Sequence, residues 1–179
     1  MARRIMRTLV LLLVAALPMP AVADLHFRNL DEPDAPQWAE GDVKLPPFPR
    51  DDGLIEFAVT ASTNRFFVDG TSIAPGNDGV VRYALVVRTA GGATNVSFEG
   101  IRCATGEYRI YATGQAGAWV RARDETWRRI ERKAVNGYLS TLNRDFFCPS
   151  GTSIAGTEEG RNALRRGIHP DVPGSSIYR

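Results

Sequence analysis

Histidine is nearly absent from this sequence, His26 and His169 being the only two, and that scarcity removes most nucleophilic and metal chemistry at the outset. A catalytic imidazole must be oriented by a third group. Neither position offers one, since His26 lies in a proline-rich stretch and His169 precedes Pro170 near the C-terminus, and both read as surface residues. With no H-x-x-x-H, no H-E-x-x-H and no cysteine cluster, no metal ligand is assigned. The glycines form neither G-x-x-x-x-G-K nor a strand-linked G-x-G-x-x-G, so a phosphate loop is excluded and Gly70, Gly76, Gly79, Gly91 and Gly92 read as turn residues. Asn77-Asp78-Gly79 lacks the alternating acids of an EF-hand loop and reads as a turn. The hydroxyls of Ser150-Gly151-Thr152-Ser153 have no base beside them. No catalytic residue and no cofactor follow from these patterns.

Long apolar runs are also missing. The longest, Leu9 to Leu17, is too short to cross about 30 Å of hydrocarbon. It sits instead between Arg3, Arg4 and Arg7 on one side and Pro18, Pro20 and the triplet Ala21-Val22-Ala23 on the other, the n, h and c regions of a cleaved export signal. Residues 1–23 therefore read as a signal peptide and Asp24 as the mature N-terminus, which predicts a soluble periplasmic protein with no membrane span. No cysteine adjoins the triplet to accept a lipid, and Arg3-Arg4 lacks the fuller twin-arginine motif.

Net charge is small. Removing three arginines and no acids from 22 cations leaves 19 against 20 acids, so the mature chain has no global attraction for nucleic acid or anionic membrane. Lysine is confined to Lys44 and Lys133, which leaves cationic pairing to arginine and its planar fork.

Cysteine is limited to Cys103 and Cys148. In an exported chain an even pair reads as a structural disulfide, and the absence of C-x-x-C spacing argues against a redox couple. Closing that loop stabilises by roughly 4 kcal/mol in the chain-entropy model.

What is present is β-pattern followed by helix-pattern. Residues 24–52 are proline-rich without a period of 2 or 3.6 and read as an extended arm carrying Trp38 and Phe48. From Leu54, alternation marks a strand with Ile55, Phe57 and Val59 inward, then Arg65 to Asp69, then the strongest strand, Val80 to Thr89, with Val81, Tyr83, Leu85 and Val87 on one face. Thr94 to Cys103 and Glu107 to Ala112 follow, with Val96 and Phe98 inward on one and Tyr108 and Ile110 on the other, and Trp119-Val120 adds a last strand. Short connections imply an antiparallel meander. The spacing of Ile130, Ala134, Tyr138, Leu142 and Phe146 predicts a helix to Phe146, and Thr157 to Arg166 a second. The fold class is α+β: a single globular domain over residues 53–167, its antiparallel β-sheet covered on one face by at least one C-terminal helix and stapled by the disulfide, with residues 168–179 a tail.

The polar side of that sheet supplies the candidate ligand-binding face: Glu56 and Thr60 on the first strand, Arg82 and Arg88 on the central one, Arg109 and Tyr111 on the last. Bidentate arginines and a stacking tyrosine suit an anionic or glycan ligand. Carboxylates for glycoside hydrolysis are available in Asp69, Glu99, Glu107 and Asp145, but their spacing brings no pair together. A buried acid with a raised pKa in a cleft would favour such an activity.

Taken in order, Phe57-Ala58-Val59, Asn64-Arg65-Phe66-Phe67-Val68-Asp69, Ser72-Ile73, Arg82-Tyr83-Ala84-Leu85, Phe98-Glu99-Gly100-Ile101-Arg102-Cys103 and Asp145-Phe146-Phe147-Cys148-Pro149 resemble the cryptic neisserial protein-like family of exported bacterial proteins. The resemblance runs from Leu54 to Pro149 and implies an envelope protein while transferring no catalytic residue. The expected function is a non-enzymatic binding or envelope-assembly module contacting an envelope protein or cell-wall component. The alternative is an envelope-polymer hydrolase using a carboxylate pair.

Overall fold

In the computed structural model the described residues are 37–131 and 137–174, and the compact body begins at Trp38. The signal segment, His26, the arm as far as Pro36, and Ala134 and Val135 of the expected helix lie outside the described residues.

β-branched and aromatic residues build eight strands: β1 Leu54–Phe57, β2 Arg65–Asp69, β3 Ala74–Pro75, β4 Val80–Arg88, β5 Thr94–Arg102, β6 Glu107–Gln115, β7 Ala118–Arg121 and β8 Arg128–Arg129. They form one antiparallel sheet in the order β1-β2-β4-β5-β6-β7, with β3 beside β4 and β8 beside β6. The meander and its central strand agree with the sequence pattern. β4 is buried along most of its length because both of its faces are covered.

On one face Val81, Tyr83 and Leu85 meet Phe57, Phe66, Ile101, Leu139, Leu142, Phe146 and Phe147 in the main core. The helices over it are α1, Gly137–Thr141, a π-helical segment Leu142–Phe147, and α2, Thr157–Arg166. Within the π segment the adjacent Phe146 and Phe147 are both buried. Cys148 N–H closes it on the Asn143 carbonyl at 2.9 Å. The Cys103–Cys148 disulfide, with Cα atoms 5.3 Å apart, ties this segment to the end of β5.

Four expectations are corrected. Ile130 is not helical: Arg128 and Arg129 pair with β6, and Ile130 N–H donates to the Gly106 carbonyl at 2.9 Å, so the ladder takes the backbone that the apolar spacing assigned to a helix. Thr60 lies past the end of β1, in an exposed turn. Phe98 faces away from the main core, because β5 pairs with β4 so that Glu99 lies opposite Tyr83, on the core face, and Phe98 opposite Ala84, on the other. His169 is not a surface residue; it is 1% exposed, its Nδ1 accepting from Asp171 N–H at 3.1 Å and its Nε2 2.9 Å from Glu159 Oε1.

The second face of the sheet is also covered, by the arm. Phe98, Tyr111 and Ala112 form a smaller cluster against Val43, Leu45 and Trp119. Phe48 packs at a tilt against Trp119, ring centroids 5.0 Å apart, and Trp119 Nε1 donates to the Pro46 carbonyl at 2.8 Å. Gly114 is required there, since a Cβ would stand 2.9 Å from the Phe48 ring.

Candidate functional site

Tyr111 lies two residues from Arg109 on β6 and so shares the arm-covered face with it and with Arg82, and a bulge at Tyr111 lets Ala112 follow onto that face. Arg82, Gly100 and Arg109 are register neighbours across β4, β5 and β6, and Gly100 leaves the space between the arginines open. The Tyr111 ring fills it: a Cβ on residue 100 would lie 2.6 Å from its hydroxyl. The guanidinium carbons of Arg82 and Arg109 stand 5.7 and 5.1 Å from the ring centroid, within cation–π range. Three of the six residues assigned to the candidate face, Arg82, Arg109 and Tyr111, thus lie together.

Their common partner is internal. Glu40 of the arm accepts from Tyr111 OH at 2.5 Å, from Arg82 Nη2 at 3.3 Å and from Arg109 Nη1 at 2.7 Å. Arg82 also donates to both oxygens of Asp78, at 3.2 and 2.6 Å, and Asp78 takes Gly41 N–H at 2.8 Å while its carbonyl takes Trp38 Nε1 at 2.8 Å. Burial pushes the Asp78 carboxyl up, but Arg82 and the Gly41 and Val80 N–H groups outweigh it and hold the net value below the ordinary one. Burial, then the bond to Glu40, raises the Tyr111 hydroxyl. Arg82 is only 6% exposed, so this group is a seal between arm and sheet as it stands.

The other predicted residues do not join it. Glu56 pairs with Arg65 at 2.6 Å and Arg88 with Asp51 at 2.7 Å, both near the surface. Arg65 and Arg88 flank the Phe67 ring at 5.0 and 4.8 Å. Thr60 stands apart in its turn.

Sequence reasoning named Glu99 only as one acid among four, because reading its neighbour Phe98 as inward turns Glu99 away from the core. It is 1% exposed on the helix-covered face, and it accepts hydrogen bonds from Ser97 Oγ at 2.6 Å, Tyr83 OH at 3.0 Å and Tyr138 OH at 3.3 Å. Burial raises its pKa against the lowering effect of those hydroxyls. It borders a cleft of about 530 Å³ between the Ser62–Asn64 turn, the far ends of β4, β5 and β6, and the start of α1. Asn64, Asn95 and Thr113 supply polar groups there, Leu85, Val87 and Ile110 apolar ones, and Phe66 and Tyr138, stacked 5.6 Å apart, an aromatic side. Glu99 is the one acid among the residues lining this cleft. A larger depression of about 750 Å³ lies beside the disulfide, lined in part by Asn143, Arg144, Asp145 and Ser150, but Arg144 and Asp145 are already paired at 2.6 Å.

Comparison with known proteins adds a family. The sequence profile of the CNP1-like family matches residues 33–165. The chain is also similar to cryptic neisserial protein 1 of Neisseria gonorrhoeae (strain ATCC 700825 / FA 1090), 27% identical over 139 residues that make up 68% of this chain and 68% of that protein. No solved structure matches.

Proposed function

The chain belongs to the CNP1-like family, and from that premise we propose that it is a periplasmic, non-enzymatic binding module, exported by a cleaved signal at residues 1–23 and contacting an envelope protein or cell-wall component. The observation that carries this reading is the cleft beside Glu99. It has the size, the mixed lining and the few convergent polar groups of a ligand site. Two-carboxylate hydrolysis needs a second acid across the scissile bond, and no other acid lines the cleft. The raised pKa of Glu99 is what keeps a hydrolase as the second reading, since a neutral carboxyl at working pH is what a general acid requires.

The predicted polar face has a smaller part in this proposal. Arg82, Arg109 and Tyr111 are committed to Glu40, so a partner at that face would meet only its open end, the Glu56–Arg65 pair and Arg88 around Phe67.

Affinity capture from cross-linked cell envelopes, run with the natural protein and with Asn95→Lys, tests the reading. Asn95 is exposed at the cleft, so lysine blocks it without touching the core. An envelope protein or wall fragment enriched on the natural protein and lost on the variant is expected. Identical partner sets would remove the cleft as the binding surface, and soluble sugar released from purified cell wall by the natural protein would replace binding with hydrolysis.

A further inference from the structure

We propose that the cleft takes an uncharged ring bearing hydroxyl and amide groups, a neutral sugar unit; this specifies the ligand class of the binding function proposed above and rests on it. The argument begins with charge. No lysine, arginine, histidine or aspartate lines the cleft, and Glu99, its one carboxyl group, is fully buried with both oxygens occupied by hydroxyls. A charged ligand would give up its hydration there without a counter-ion, which disfavours it. An uncharged one would not.

Polarity and shape narrow the class. Asn95 and Thr113 are exposed in the cleft, and neither side chain has a hydrogen-bond partner among the described residues. Asn64 uses its carbonyl oxygen to accept Ala90 N–H at 3.3 Å, leaving its amide donors to the cleft. Between these amides and hydroxyls lie Leu85, Val87 and Ile110, with the stacked Phe66 and Tyr138 to one side. Alternating hydrogen-bonding groups and C–H surface are what a sugar ring presents, with its hydroxyls at the edge and apolar hydrogens on its faces. About 530 Å³ falls within the range of small-ligand sites.

Titration of the natural protein followed by amide chemical shifts tests the proposal, with N-acetylglucosamine, its tetramer and the cationic glucosamine tetramer as probes. Saturable shifts at Asn95 and Thr113 with the acetylated probes, weakened at least about tenfold in an Asn95→Ala/Thr113→Ala variant, are expected. Tighter binding of the acetylated tetramer would identify a polymer as the source of the ligand, and equal binding of monomer and tetramer a free sugar; both support the class. No saturation by the acetylated probes at millimolar concentration, equal binding of the cationic tetramer, or unchanged affinity in the double variant would each overturn it. The two readings separate: if acetylated sugars fail while Asn95→Lys still loses its envelope partner, the ligand class falls and the cleft stands as the binding surface, whereas a partner set unchanged by Asn95→Lys removes the cleft as that surface.

Discussion

At the residue scale, Glu99 and Asp78 are both buried carboxyls, and their surroundings move them in opposite directions. Asp78 faces the Arg82 guanidinium and two N–H groups, so its anion is held. Glu99 meets three hydroxyls, which can hydrogen-bond a neutral carboxyl as well as an ionised one, so burial decides and its pKa rises. A folded-state value above the unfolded value of about 4.3 means that the native state holds the proton more tightly. The stability Glu99 contributes is therefore complete below that value and is lost as pH rises toward the raised one. Glu99→Gln stays neutral throughout, and so is expected to gain on the natural protein between about pH 4 and pH 8, with a larger melting-temperature difference in its favour at the upper end. Parallel melting curves across that interval would show that the Glu99 carboxyl does not titrate there.

At the scale of elements, the arm from Trp38 to Phe48 acts as a second layer of the domain although it has no regular secondary structure. It is held by side chains: Trp38 under Arg102, whose guanidinium lies 3.8 Å from the ring centroid, Glu40 in the arginine–tyrosine clamp, and Phe48 on Trp119. Arg82 is the common anchor, paired with Asp78 where both side chains are under a tenth exposed. Removing one partner of such a buried pair costs about 3–5 kcal/mol. Arg82→Ala is thus expected to lower stability by that amount in denaturant titration, and Arg88→Ala, whose partner Asp51 is 88% exposed, by under about 0.5 kcal/mol. Equal effects would mean that the clamp does not hold the arm. The Asp78 part of this docking is present above the ordinary aspartate pKa of about 3.9 and is lost as pH falls through its depressed value.

At the scale of the whole molecule, the sheet was legible because period-2 alternation runs through the long strands β4 and β5 and is interrupted in β6 only at the Tyr111 bulge. Its inner face of Val81, Tyr83, Leu85 and Val87 is where the pattern puts it. The site was legible only in part: register brought Arg82, Arg109 and Tyr111 together, but a segment without periodicity carries no sign that its glutamate will cover them. Alternation along β5 likewise does not say which of its faces meets the helices; its register with β4 sets Glu99 beside Tyr83 on that face and Phe98 beside Ala84 on the other. The disulfide could be read because only two cysteines exist to form it, and its position now gives it a definite mechanical role. Cys103 ends the central strand pair and Cys148 ends the π segment, so the bond joins the sheet to the helical layer across 45 residues of sequence. The loop it closes includes β6, β7, β8 and α1, and most of its gain comes from the unfolded chain, which loses the freedom of that whole loop. Reduction is expected to cost roughly 2–4 kcal/mol. At about 2–4 °C per kcal/mol for a chain of this length, the melting midpoint should fall by roughly 4–16 °C. Thiol labelling of the denatured, unreduced protein should find no free cysteine, and melting with and without reductant should give that difference. Two free thiols, or an unchanged midpoint after reduction, would show that side-chain packing alone holds the helical layer on the sheet.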